Sequence, residues 1–281
     1  MEISSFKLER YLRDWLEEDI GSGDITTNSI VSADAKTQAV IHAKEAGRLA
    51  GSEVSMCVFH LLDHGLEIKI LKKDGDFLKP GDVIAKIEGN ARAILTGERL
   101  ALNLLQHLSG IATRTADFVE LVGDYQTRIV DTRKTIPGLR LLEKYAVRIG
   151  GGHNHRLGLF DAVLIKDNHI KVAGGICPAI EMARRGISHT SKIEIEVESL
   201  AEVQQALSAG ADIIMLDNMN PQDMRTAVGI IGKKALTEAS GGINEQNIKA
   251  AAAAGVDVIS IGALTHSVKA LDISLDIGAI K

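Results

Sequence analysis

The stretch KIEIEVESLAEVQQALSAGADIIMLDN (192–218) decides the fold. KIEIEVE alternates apolar and charged side chains, the period of a strand. SLAEVQQALSAG (199–210) is helical in pattern and stops at glycine, a common helix terminus. DIIMLDN (212–218) is strand-like again. Strand, helix and strand in close succession imply a parallel βαβ unit. The same rhythm continues on both sides. RIVDT (128–132), AVLIKD (162–167), ALTEAS (235–240) and DVISIG (257–262) read as further strands, and NEQNIKAAAAAG (244–255) as another helix. Six strands are visible, and the glycine-rich GGGHNHRLG (150–158) leaves room for a seventh. An eightfold barrel needs roughly 250 residues, and this part has about 165, so a shortened, open α/β barrel is expected. A doubly wound open sheet is the alternative, weakened because no G-x-G-x-x-G opens a helix after the first strand.

Upstream the pattern changes. Phe6, Leu8, Tyr11, Leu12, Trp15 and Leu16 recur at helical spacing, and Gly21 with Gly23 ends the run. Residues 35–90 read as β, with short apolar or alternating runs broken by glycine. DGDFLKPGDVIAKIEG (74–89) has the pattern of a small barrel-sandwich module, but no hairpin tip presents the exposed lysine that a lipoyl carrier needs. A long helix follows from about Thr96 to Val122, with Leu100, Leu104, Leu105, Leu108, Ile111 and Ala112 on one face. The boundary between two domains is expected inside or just after this helix, dividing the chain into 1–112 and 113–269. The tail LDISLDIGAI alternates with period two and is expected to return to the first domain as a last strand.

Composition excludes several classes. The 281 residues are 45% hydrophobic and 25% charged, as in a globular protein large enough to bury a sizeable core. A net charge of −5 argues against a general nucleic-acid binder. The two cysteines, Cys57 and Cys177, have no metal-ligand spacing and suit a reducing, cytoplasmic compartment. No apolar run approaches the roughly 20 residues that span a bilayer, and MEISSFKLER has no apolar signal region.

Barrel chemistry sits at the C-terminal ends of strands. Those ends carry Asp131, Lys166, Glu196, Asp217, Ser240 and Gly262. Between 131 and 171 there are eight Lys and Arg against four Asp and Glu, in a chain that is acidic as a whole. Arg140, Lys144 and Arg148 fall at i, i+4 and i+8 and read as a solvated helix face. Arg133, Lys134, His155, Arg156 and Lys166 lie instead at strand ends or in the glycine-rich turn, where arginine suits bidentate binding of carboxylate or phosphate. A strongly anionic substrate is expected. KIEIEVE sets Glu194, Glu196 and Glu198 on one strand face. Inside a barrel such charges must pair or bind a metal. Glu196 with Asp217 could hold Mg2+, directly or through water, and salt bridges to Lys134 or Lys166 explain the same residues equally well. EASGGINEQN and SIGALTHS place Ser240, Gly241, Gly242, Gly262 and Ala263 in turns that lead into helices, where backbone N–H groups can surround a phosphate.

Taken together, these motifs resemble the quinolinate phosphoribosyltransferases over nearly the whole chain. The resemblance begins at EDIGSGDITT (18–27) and GERLALNLLQHLSGIAT (97–113) and centres on DTRKTIPGLRLLEKYAVRIGGGHNHRLGLFDAVLIKDNHI (131–170). It continues through IEIEVE (193–198), MLDN (215–218), EASGGI (238–243) and ISIGALTHS (259–267). Ile136 and Ile149 stand where a polar or small residue is expected. The resemblance implies an N-terminal α/β sandwich domain and an open, about seven-stranded barrel, assembled as a homodimer or as several dimers. It implies transfer of phosphoribose from 5-phosphoribosyl 1-pyrophosphate (PRPP) to quinolinate with loss of CO2, giving nicotinate mononucleotide for NAD biosynthesis. Lys134, Lys166, Glu196 and Asp217 would be the catalytic groups. Arg99, Arg133, His155 and Arg156 would hold the two carboxylates, Arg99 by reaching into the neighbouring subunit's site. By periodicity alone Arg99 reads as a solvated helix residue. Glu196 and Asp217 would also meet Mg2+ or the ribose hydroxyls, and the Ser240–Gly242 and Gly262–Ala263 turns the 5-phosphate. Rival readings are a Schiff-base aldolase using Lys166, the molybdenum-transport-associated relative, and a non-catalytic binding protein.

Overall fold

The computed structural model describes residues 4–278. The chain opens with α1 (Ser5–Ile20), closed by Gly21, and α2 (Ile25–Ile30), capped by the Asp24 carboxylate on the Thr27 N–H. Next come β1 (Lys36–Ala43) and β2 (Gly47–Arg48). The reading of 35–90 as wholly β needs correction at Ser52–Leu62, which forms helix α3. Val54, Met56 and Val58 alternate as in a strand, but a distant residue starts the helix. The Asp74 carboxylate accepts the N–H groups of Gly51 and Ser52 at 2.7 and 2.9 Å, and also the Tyr145 hydroxyl at 2.5 Å. An N-cap supplied from elsewhere in the fold leaves no local signature. β3 (Glu67–Ile70), β4 (Phe77–Leu78) and β5 (Val83–Asn90) follow, then the long helix α4 (Ala91–Leu121).

The second half alternates as its pattern predicts. It runs β6 (Arg128–Val130), α5 (Arg140–Ile149), β7 (Val163–Ile165), α6 (Asp167–Ala173), α7 (Ile176–Gly186) and β8 (Ile193–Val197). Then come α8 (Leu200–Ser208), β9 (Ile213–Asp217), α9 (Pro221–Ile231), β10 (Leu236–Ser240), α10 (Ile248–Ala253), β11 (Val258–Ser260), α11 (Ala263–His266) and β12 (Ile273–Ile277).

The described residues fall into two compact units. The first comprises the chain up to Ala116, Ile136–Gly151, and the chain from Ser267 onward. Its sheet has the order β12-β1-β5-β3, with β12 antiparallel to β1 from Ala39↔Ile277 to Ala43↔Ile273. The end of the predicted tail strand, 279–281, lies outside the described residues. This unit also takes in α5, which the sequence reading grouped with the barrel. Lys144 on α5 is buried, not solvated, because α5 turns Leu142, Glu143, Lys144, Ala146 and Val147 inward. Glu143, fully buried, binds His107 Nε2 at 2.9 Å and the Ile136 N–H at 3.2 Å.

The second unit, Asp117–Thr135 with Gly152–His266, holds six parallel strands in the order β6-β11-β10-β9-β8-β7. This is the open, shortened α/β barrel. Its seventh position is a single bridge, His153 beside Val130, rather than a strand. The glycines before His153 bring only one residue into register. On one face Ile193, Ile195, Val197, Ile214 and Leu216 are buried, with α7 and α8 packed against β8. The opposite face carries Glu194, Glu196, Asp217 and Glu238.

Candidate active site

Parallel register sets this face. Glu194 pairs with Ile213 and Glu196 with Met215; Met215 pairs in turn with Glu238, and Asp217 with Ser240. Side chains alternate along each strand, so Glu194, Glu196, Asp217, Glu238 and Ser240 share one side of the sheet. Lys166 follows β7 one residue past its last paired position, alongside Glu196. Its Nζ is ion-paired with Glu196 Oε1. That pairing turns Lys166 Nζ onto a carboxylate rather than leaving it free to attack a carbonyl, which counts against the aldolase reading.

Glu198, third in the sequence pattern, lies past β8 and is exposed, so the strand turns only two of the three glutamates into the barrel. Glu194 and Glu238 are each 3% exposed and flank His155 Nε2 at 3.2 and 3.5 Å. The Asp131 carboxylate, fully buried, fixes the turn that carries this ring. It accepts the Asn154 amide at 2.6 Å and the His155 N–H at 2.9 Å. The Arg156 N–H lies 2.8 Å from His155 Nδ1, which holds the ring with Nε2 facing the carboxylates. Burial by itself lowers the His155 pKa, but hydrogen bonds to Glu194 and Glu238 reverse this and raise it to about 10. Burial, and then the charge of His155 and Glu238, act on Glu194, with a net upward shift. One group among the described residues has metal-ligand atoms this close together: His155, Glu194 and Glu238, all within 4.8 Å of one another.

The arginines gather nearby. Arg156 donates to the Ala162 carbonyl at 3.0 Å, and burial followed by the like charge of Arg133 lowers its pKa. Two guanidiniums held close enough to repel favour a dianion between them. Lys134 is fixed through its backbone: its N–H donates to Thr132 Oγ1 at 3.0 Å and its carbonyl accepts Thr265 Oγ1 at 2.7 Å. Its side chain crosses Gly262, where an added Cβ would stand 2.9 Å from Lys134 Cδ.

The two expected phosphate turns differ. Gly262 directly precedes α11, a helix of four residues. Ser240–Gly242 does not lead straight into a helix, because a turn separates it from α10 at Ile248. Any anion there would meet turn N–H groups without the help of a long helix dipole.

The second unit thus brings together Arg133 with Arg156, His155 with two glutamates, Lys166 with Glu196, Lys134 with Gly262, and Asp217 with Ser240. Arg99 belongs to the first unit. It is exposed on α4 and lines a cavity of about 490 Å3 with Trp15, Glu18, Asp19, His107 and Pro137. Sequence reasoning passed over Glu238 and Asn218. Glu238 was within reach, since it stands two residues before Ser240 and so shares its face.

Comparison with known proteins identifies the family. The family model for the N-terminal domain of quinolinate phosphoribosyl transferase matches residues 24–109, and that for the C-terminal domain matches 111–276. The probable nicotinate-nucleotide pyrophosphorylase (carboxylating) of Bacillus subtilis is 47% identical over 275 residues, covering 98% of this chain and 95% of its own. The Methanocaldococcus jannaschii protein of the same description is 48% identical over 277 residues, with 95% and 96% covered. NadC from Streptococcus pyogenes superposes with a TM-score of 0.94 at 44% identity, over 99% of this chain and 100% of that one. The chain belongs to the quinolinate phosphoribosyl transferase family.

Proposed function

We propose that the charged face of the second unit transfers the phosphoribosyl group of PRPP to the ring nitrogen of quinolinate, releasing pyrophosphate, CO2 and nicotinate mononucleotide. The chain is a phosphoribosyltransferase of the nicotinate-nucleotide pyrophosphorylase (carboxylating) type. The observation that carries the assignment of the site is the set of charged side chains in the second unit: Arg133 near Arg156, His155 on Glu194 and Glu238, Lys166 on Glu196, and Asp217 on the same sheet face as Glu196.

Quinolinate carries two adjacent carboxylates. Arg133 and Arg156 supply planar forks for them, His155 Nε2–H a further donor, and Lys134 and Lys166 nearby charge. The Ser240–Gly242 and Gly262–Ala263 turns receive the 5-phosphate, and Glu196 and Asp217 the ribose hydroxyls. As the ring nitrogen bonds to ribose C1 and pyrophosphate leaves, positive charge develops on the sugar. Alignment and fixed carboxylates supply the stabilisation. The product ring nitrogen is cationic, so its positive charge stabilises the carbanion left at C2 when CO2 departs, and a proton from solvent then adds at C2. Glu196 and Asp217 are hard oxygen donors on neighbouring strands facing the same side, a donor set that fits Mg2+. Bound there, directly or through water, Mg2+ would neutralise charge on the pyrophosphate.

Among the described residues no helix is long and apolar enough to cross a membrane. The two cysteines are free, which supports a cytoplasmic setting. We further infer a homodimer, or an assembly of dimers, in which Arg99 of one subunit completes the site of the other. If so, a mixture of Arg99→Ala with a Glu196→Gln chain regains activity on subunit exchange; no recovery removes the shared site. The deciding test of function is product analysis with quinolinate, PRPP and Mg2+, and nicotinate in a parallel reaction. Nicotinate mononucleotide and CO2 from quinolinate alone are expected. Turnover of nicotinate in its place, or of neither acid, overturns the substrate assignment.

A further inference from the structure

Asn218 is the one non-glycine residue with positive φ (52°) among the described residues. That conformation is uncommon outside glycine, and asparagine takes it more readily than most because its short polar side chain can bond to what surrounds it. Here the surroundings are two parts of the site. Asn218 directly follows Asp217, and its Nδ2 donates to Asp217 Oδ2 at 2.9 Å. Its backbone N–H donates to the Ser240 carbonyl at 2.9 Å, carrying the β9–β10 ladder one residue past β9. Its side chain also lies against Gly241, whose φ is +88°. A Cβ on Gly241 would collide with Asn218 Oδ1 and stand 2.8 Å from the Asn218 backbone nitrogen. One residue therefore touches the acid at the end of β9, the carbonyl at the end of β10, and the glycine that turns the chain there.

We propose that Asn218 is a positioning residue that locks the Asp217 carboxylate to the Ser240–Gly242 turn, so that the ribose end and the 5-phosphate end of the PRPP site keep one spacing. This rests on the assignment of those two parts to PRPP. The left-handed backbone is what lets a single short side chain serve both. In extended backbone the amide would leave Asp217. With a longer side chain it would meet Gly241.

Three variants separate the amide from the backbone conformation. Asn218→Gly keeps the left-handed backbone without strain but removes the amide. Asn218→Ala removes the amide and adds strain. Asn218→Asp keeps length and shape but sets a second carboxylate against Asp217. For Asn218→Gly the KM for PRPP and the Kd for ribose 5-phosphate should rise about tenfold, the value of one hydrogen bond to a charged group. The KM for quinolinate and the thermal midpoint should stay near those of the parent. Asn218→Ala should show the same shift in PRPP with a lower midpoint. Asn218→Asp should weaken PRPP binding more than glycine does. An unchanged PRPP KM in Asn218→Gly overturns the proposal, as does an equal loss of affinity for both substrates. If the parent protein neither binds ribose 5-phosphate nor turns over quinolinate, the site assignment fails and the proposal falls with it. A parent that does both, beside an unaffected glycine variant, sinks the proposal alone.

Discussion

Two alternating segments look alike in sequence and behave in opposite ways. In the first unit, β3 and β5 turn Glu67, Lys69, Lys86 and Glu88 to one side, all exposed to water. They even set Glu67 opposite Glu88 and Lys69 opposite Lys86. Like charges can stand opposite one another there because water screens them. In β8 the same period turns Glu194 and Glu196 into the barrel. Glu194 is 3% exposed and must share its surroundings with His155 and Glu238, and Glu196 takes Lys166. A polar face on the open sheet stays in water, whereas the one inside the barrel is forced into contacts among its own charges. Buried charges that lack partners cost several kcal/mol each, so the curved face arranges its charges into pairs.

The largest expected effect comes from removing a charge on the curved face. Glu196→Gln leaves the shape but frees Lys166 and removes a carboxylate from the sugar, and kcat should fall by about 10² to 10³. A kcat within a few-fold of the parent, measured at saturating substrates, would make this face no different from β5. Arg133→Ala removes a carboxylate fork and should raise the KM for quinolinate by about 10² while leaving that for PRPP nearly unchanged. Equal changes in both would move Arg133 to the phosphate.

Smaller effects test burial itself. His155 has its pKa raised from 6.5 to about 10 in the folded protein. Its pairing therefore contributes fully below about pH 6.5, and the contribution is lost as pH rises toward 10. Glu238→Gln should bring that upper limit down, so the variant loses the contribution at lower pH than the parent. Urea-unfolding midpoints across pH 6–10 would reveal this, and parallel curves would mean that Glu238 does not govern the ring. The smallest expected change is Glu67→Gln on the open sheet, within about 0.5 kcal/mol of the parent by the same unfolding measurement. A larger loss would erase the contrast between the two faces.

Much of this is legible in the sequence alone. The strands of the second half alternate with helices, and a strand's period of two is strict enough to place Glu196, Asp217 and Ser240 at the ends of their strands. The cations in the glycine-rich turn and at the strand ends announced an anionic substrate. Other features were hidden for specific reasons. α3 begins at a cap lent by Asp74, over twenty residues away in sequence. Lys144 reads as solvated because spacing alone cannot say which way α5 faces. The seventh strand shrank to one bridge, since glycines permit extended backbone without requiring it.

The sequence by itself determined the order of elements, the open α/β barrel and the chemical class of the site, because these follow from periodicity and residue type. Only the tertiary structure decided the pairings: His155 between Glu194 and Glu238, Lys166 on Glu196, and Asn218 joining Asp217 to Gly241. Periodicity fixes the face on which a side chain stands. The partner it meets there depends on strand order and curvature, which bring together residues far apart in the chain.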